Sequence, residues 1–216
     1  MITEAAELEE KVLEARVRIL GEEHPNTLLG MGDLAQTYSA QGKITEAAEM
    51  EEKVLEARMR ILSEEHPDTL SSMGNLACRY LAQGKITEAA ELGEKVREAK
   101  MRILREEHLN TLLSMENLAW TYKHLARTVD ATDLRQKAVA RSQKVLGDEH
   151  PDTVARKSCL TSWIGTIITN QLNAEQGKGQ SSAPQQSRSD QANVFKSRDE
   201  RHRFVDRMLG KLRRHS

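Results

Sequence analysis

Four evenly spaced histidines, two cysteines and several glutamate clusters are the groups of this chain whose chemistry could go beyond packing. His24, His66, His108 and His150 stand 42 residues apart. A zinc ion needs three or four ligands converging at about 2.0–2.3 Å. One histidine per 42 residues, at the start of each helix-like segment, fits a turn or cap role instead. Cys78 and Cys159 carry no nucleophile motif around them, and only the spread-out histidines are available as bases. Glu7, Glu9 and Glu10, and again Glu49, Glu51 and Glu52, resemble paired carboxylates. Their recurrence beside Lys11 and Lys53 fits solvated helix faces with ion pairs three and four residues apart. No G-x-x-x-x-G-K-S/T or G-x-G-x-x-G run offers a phosphate cradle. No catalytic, cofactor-binding or metal-ligating residue is therefore assigned, and no enzyme is expected.

The elements that must position these groups are helices. Among 216 residues, aromatic side chains make up 3 %, too few for the strands of a β-sandwich or for a base-stacking nucleic-acid surface. Two cysteines do not make a disulfide framework, and no run of eighteen apolar residues exists to span a membrane. Met1–Glu4 does not read as a secretory signal, so a reducing, cytoplasmic setting is the expectation. The net charge of −1 conceals an asymmetry, with −6 over residues 1–172 and +5 over 173–216.

An internal repeat settles the fold class. Residues 2–20 recur at 44–62 with 17 of 19 positions identical, and at 86–104 with 15 of 19. The same offset carries Leu34 to Leu76, Leu118 and Leu160, and Tyr38 to Tyr80 and Tyr122. Each unit holds two helical patterns. In the first, from about Pro25 to Gln41, Leu28, Met31, Leu34, Ala35 and Tyr38 share one face. In the second, from about Thr45 to Leu62, Ala47, Met50, Val54, Leu55, Met59 and Ile61 form the apolar side. Glu51, Glu52, Lys53, Glu56, Arg58 and Arg60 form the wet side. Pro25 suits a first helical turn and Gly42 a left-handed helix end. Neither helix can bury its apolar face alone, so the pairs must stack into a solenoid.

The motifs NLAxxY at 75–80 and 117–122, QGK at 41–43 and 83–85, and EEHPDTL at 64–70 resemble tetratricopeptide repeats of the long, kinesin-light-chain-like type with a 42-residue period. The HPDTL spelling looks like repeats common in fungal proteins, often appended to nucleotide-binding sensor domains. The resemblance implies an all-α, right-handed α-solenoid of antiparallel helix pairs over residues 1–172, about 3.5 to 4 units with the last degenerate. Leu109 replaces the proline of the HP pair, and Ala126 the glycine after the third first-type helix. The segment 128–146 keeps Ala131, Leu134, Val145 and Leu146, and 151–172 reads as a degenerate terminal helix.

The resemblance further implies a concave groove lined by the first helix of each unit and holding a protein or peptide ligand. Its positions on this chain are Asp33, Asn75 and Asn117, then Gln36, Cys78 and Trp120, then Ser39, Leu81 and Lys123. An asparagine amide there can bond a peptide backbone as both donor and acceptor. Asp33 only accepts when ionised. Trp120 either anchors a ligand beside Asn117 and Lys123 or packs on the 128–146 segment. The expected function is a non-enzymatic interaction scaffold. The alternatives are the sensing arm of a nucleotide-dependent switch protein and, remotely, an enzyme or metal protein. No heptad-rich coiled coil for pairing with a motor heavy chain is visible in the sequence.

Residues 173–193 are rich in Gln, Ser and Gly and are expected to form a flexible linker. Residues 194–216 regain an amphipathic pattern, with Phe204, Val205, Met208, Leu209 and Leu212 flanked by Arg201, Arg203, Arg207, Lys211, Arg213 and Arg214. Such a basic helix docks on the acidic array, binds a partner, or stays unfolded. Nucleic acid is not an expected partner.

Overall fold

The computed structural model describes residues 2–177. Among them are eight α-helices and no strand: α1 (Ile2–Leu20), α2 (Pro25–Ala40), α3 (Ile44–Leu62), α4 (Pro67–Ala82), α5 (Ile86–Leu104), α6 (Leu109–His124), α7 (Thr128–Leu146) and α8 (Pro151–Gly177). The helix α8 runs through Gly177, past the expected start of the linker at 173. The rest of that linker and the basic segment 194–216 lie outside the described residues. The chain divides into two compact units between Leu125 and Ala126.

In the first unit, α1 to α6 pack in chain order, each on the next, and α4 also touches α6. Small residues set the closeness of these contacts. Ala35, Ala47, Ala89 and Ala119 have no exposed surface, so neighbouring helix backbones approach with nothing larger than a methyl group between them. Around them, Leu55, Leu70, Met73, Leu76 and Val96 form a core spanning α3, α4 and α5, edged by Tyr80 and Leu92. Leu28, Val54 and Ala57 form a smaller cluster between α2 and α3.

Two devices recur at the 42-residue interval. Each first-type helix opens on a histidine whose ring Nδ1 accepts from the backbone N–H two residues on. His24 takes Asn26 N–H at 3.2 Å, His66 takes Asp68 at 3.2 Å, His108 takes Asn110 at 3.1 Å and His150 takes Asp152 at 3.2 Å. The cap satisfies one of the N–H groups a helix start leaves without a partner. It also explains why α6 begins on schedule with Leu109 in place of proline. The second device is a strut. Tyr38 Oη donates to Glu10 at 2.7 Å, Tyr80 to Glu52 at 2.8 Å and Tyr122 to Glu94 at 2.6 Å. The acceptor carboxylate favours the protonated phenol. The Glu10 bond, with burial, pushes Tyr38 up to about 12; burial, with the Glu52 bond, does the same for Tyr80.

The helix faces differ in part from the sequence expectation. Met59 and Ile61 of α3 are exposed, at 42 % and 46 %, whereas Glu51, expected in water, is 1 % exposed. Met59 and Ile61 lie on the part of α3 that its neighbours α2 and α4 leave uncovered. Val145 of α7 is exposed as well, at 46 %. Glu51 sits mid-helix, where α4 closes over it.

The second unit is the pair α7 and α8. Val139, Leu160 and Ile164 form its core with Ile168 against them. Trp163 is buried with the Arg135 guanidinium 4.4 Å from its ring centre, a cation–π contact.

Candidate functional site

Asn75, Cys78 and Leu81 on α4 and Asn117 and Trp120 on α6 line one cavity of about 280 Å³, floored by Gly93, Val96 and Lys100 of α5. The spacing i, i+3, i+6 along a first-type helix puts these residues on one stripe. Because α4 and α6 touch, the two stripes face the same space. Leu76 and Leu118, one residue after each asparagine, are buried at 3 % and 1 % and fix the rotation of both helices. Asn75 and Cys78 are exposed on the cavity wall. Trp120 is 46 % exposed, its ring edge-on to His124 at 5.6 Å and covered by the Lys123 ammonium at 4.8 Å.

The remaining expected residues lie elsewhere. Asp33 and Gln36 line a separate opening of about 550 Å³ between α1 and α2, with Leu8 and Val12. Ser39 accepts a hydrogen bond from Arg79 Nη1 at 2.7 Å and so braces α2 against α4. Lys123 is exposed over Trp120 and does not line the cavity.

Burial pushes the Cys78 thiol above its usual value; Arg79 opposes this and Glu51 adds to it. A thiol held protonated is a poor nucleophile.

Two residues lining the cavity, Gly93 and Lys100, were not singled out by the sequence, and a third beside Asn75, Glu51, was read as solvated. Loss of water lowers the Lys100 pKa, and its side chain is half-buried in the cavity floor. The signal for two of the three was present. The third copy of the second-type helix departs from the first at Gly93, Arg97, Lys100 and Met101, and two of these four line the cavity. Glu51 had no such signal, because Glu9 stands at the same place in the first copy.

Two family models, each described as tetratricopeptide repeat, match the chain, one at residues 2–60 and 52–102 and the other at residues 111–152. The chain belongs to the tetratricopeptide-repeat family. Its repeats are of the kinesin-light-chain-like type. Two crystal structures of a Podospora anserina protein, described as a kinesin light chain with nearly identical TPR-like repeats, are each 34 % identical to it. One, a point variant, has a TM-score of 0.68 over 82 % of this chain and 85 % of that one. The other has 0.66 over 84 % and 90 %. BtubC (BKLC) from P. vanneervenii shares the fold at 20 % identity, with a TM-score of 0.63 over 91 % of this chain and 81 % of that one. No curated protein matches. The all-α repeat fold implied by the motifs is thus the fold of the chain. Among the described residues, no helix is long and apolar enough to cross a membrane.

Proposed function

We propose that this tetratricopeptide-repeat protein is a non-enzymatic scaffold, working in a reducing compartment such as the cytoplasm, that holds an extended protein segment in the groove between α4 and α6. The observation that carries the reading is the convergence of Asn75, Asn117 and Trp120 on one 280 Å³ cavity. Two amides on successive first-type helices can each donate to and accept from a peptide backbone, which has a donor and an acceptor at nearly every residue. A half-exposed indole supplies a rigid apolar anchor of the kind that dominates interface energetics. The buried leucines behind both asparagines hold the amides in place before a ligand arrives, which lowers the ordering cost of binding. Repeat proteins of this family are in general interaction scaffolds, and the exposed thiols of Cys78 and Cys159 suit a reducing setting.

The test is a quantitative pull-down from cell extract, with the native chain and the variant carrying Asn75→Ala, Asn117→Ala and Trp120→Ala. The expected result is a set of captured proteins lost from the variant while its helical circular-dichroism signal is unchanged. The same set captured by both would overturn the reading.

A further inference from the structure

Two second-type helices of the first unit are covered on both sides, α3 by α2 and α4, and α5 by α4 and α6. Toward the preceding helix, Val54 and Ala57 of α3 share a core with Leu28 of α2, and Val96 and Ala99 of α5 share one with Leu70 of α4. The same positions on α1 are Val12 and Ala15, with Leu8 one turn earlier. Val12 is 48 % exposed and Leu8 64 %, against 1 % for Val54 and 2 % for Val96. The helix α2 lies on the other side of α1. An open face of α1 is thus shaped to take a first-type helix.

A first-type helix with its matching side open is α8. Val154 stands for Leu28, Leu70 and Leu112, which are 4 %, 3 % and 0 % exposed, yet Val154 is 48 % exposed. The charges at such a junction match too. Glu23 before α2 pairs with Arg60 of α3, and Glu65 before α4 pairs with Arg102 of α5. The same series continue to Glu149, just before α8, and begin at Arg18 on α1, both exposed. Lys157 of α8 replaces the methionine of Met31, Met73 and Met115. Met73 shares the cleft between α4 and α5 with Glu98, whose counterpart on α1 is the exposed Glu14. The apolar side chain lost from α8 is replaced by a cation whose place is opposite a carboxylate.

We propose that α8 of one copy of this chain docks on α1 of a second copy, repeating between molecules the contact that α2 makes with α3 and α4 with α5. Val154 meets Val12 and Ala15, Glu149 pairs with Arg18, and Lys157 pairs with Glu14. The apolar contact supplies affinity and the charges set the register. The two surfaces differ, so the interface is heterologous, and every docked copy leaves one surface of each kind for another. The 550 Å³ opening between α1 and α2 fits this arrangement. Val12, Arg16 and Asp33 in that opening are the counterparts of Val96, Lys100 and Asn117 in the cavity that α4 walls. The opening is the same cavity with one wall missing, and a docked α8 supplies the wall.

Sedimentation velocity of the full chain in reducing buffer, from about 1 μM to about 1 mM, tests the proposal. The expected result is a weight-average mass that rises with concentration, with no plateau at two chains. Val12→Glu spoils the α1 surface and Val154→Asp the α8 surface. Both positions are about half exposed, so the helical circular-dichroism signal is expected to stay unchanged. Each variant alone is expected to sediment at the mass of one chain. Their equimolar mixture is expected to reach the mass of two chains and stop there, because each variant keeps the surface the other has lost. A native chain that stays monomeric throughout, as it would with its own residues 194–216 on α1, would overturn the proposal. So would association that survives Val154→Asp or levels off at two chains, which would set α1 against α1, and so would a mixture that stays at one chain.

Discussion

The burial of Glu51 ties the stability of the array to pH. Burial raises its pKa from 4.5, against the opposing pull of Arg79, Asn75 and Arg58. A carboxyl with a raised folded-state pKa binds its proton more tightly folded than unfolded. Its contribution is therefore present below the unfolded pKa and lost as pH rises through the folded one. Replacing it by Gln removes that loss. The melting midpoint of Glu51→Gln is expected to exceed that of the native chain at neutral pH, with the gap closing as pH falls toward 4.5. Paired thermal melts across that range check it; a gap that is absent or widens on acidification would show that Arg79 and Arg58 hold the carboxylate charged. The histidines teach a related lesson at the same scale. A residue type that suggested metal chemistry serves four separate helix starts through one ring nitrogen each.

Helices and turns show how local rules survive sequence drift. The turn from each second-type helix to the next first-type helix needs positive φ at its first residue. Gly21 takes φ 91° and Gly147 takes 88°, but the intervening copies place Ser63 at 96° and Arg105 at 69°. With ψ of 162° and 167°, these two occupy a region that favours glycine strongly. Ser63→Gly and Arg105→Gly are each expected to stabilise the chain by about 1 kcal/mol, since the strain relieved exceeds the entropy glycine adds to the unfolded state. Denaturant melts with unchanged slope measure this, and a loss of stability in both would show that the turn is not strained. The helix starts and ends were legible because the repeat is nearly exact. Pro25, Gly42 and their counterparts mark boundaries that the structure moves by only a residue or so. The faces were less legible. A 3.6-residue period says which side chains share a face, but not how much of that face the neighbouring helices cover. That is why Met59, Ile61 and Val145 are exposed.

For the molecule as a whole, the fold followed from repetition and the site only in part. Six helices of one unit stack in order because none can bury its apolar side alone, and this was written in the 42-residue period. The asparagine–leucine–alanine run placed Asn75, Asn117 and Trp120 on one groove. Asp33 and Gln36, at equivalent positions, line a different opening, because α2 packs on α1; Glu9 and Arg16, the counterparts of Gly93 and Lys100, line that opening with them. The proposed site thus combines positions that repeat with positions that depart from the repeat. Cys78 provides a natural probe of that claim, being exposed on the cavity wall, while Cys159 is exposed on the other unit. A thiol-reactive benzophenone can be attached to Cys78 in Cys159→Ser protein and to Cys159 in Cys78→Ser protein, at mildly alkaline pH because the Cys78 thiol resists ionisation. On illumination in cell extract, the label on Cys78 should crosslink a defined set of proteins that the label on Cys159 does not. Crosslinks from Cys159 alone, or the same set from both positions, would contradict a ligand held between α4 and α6.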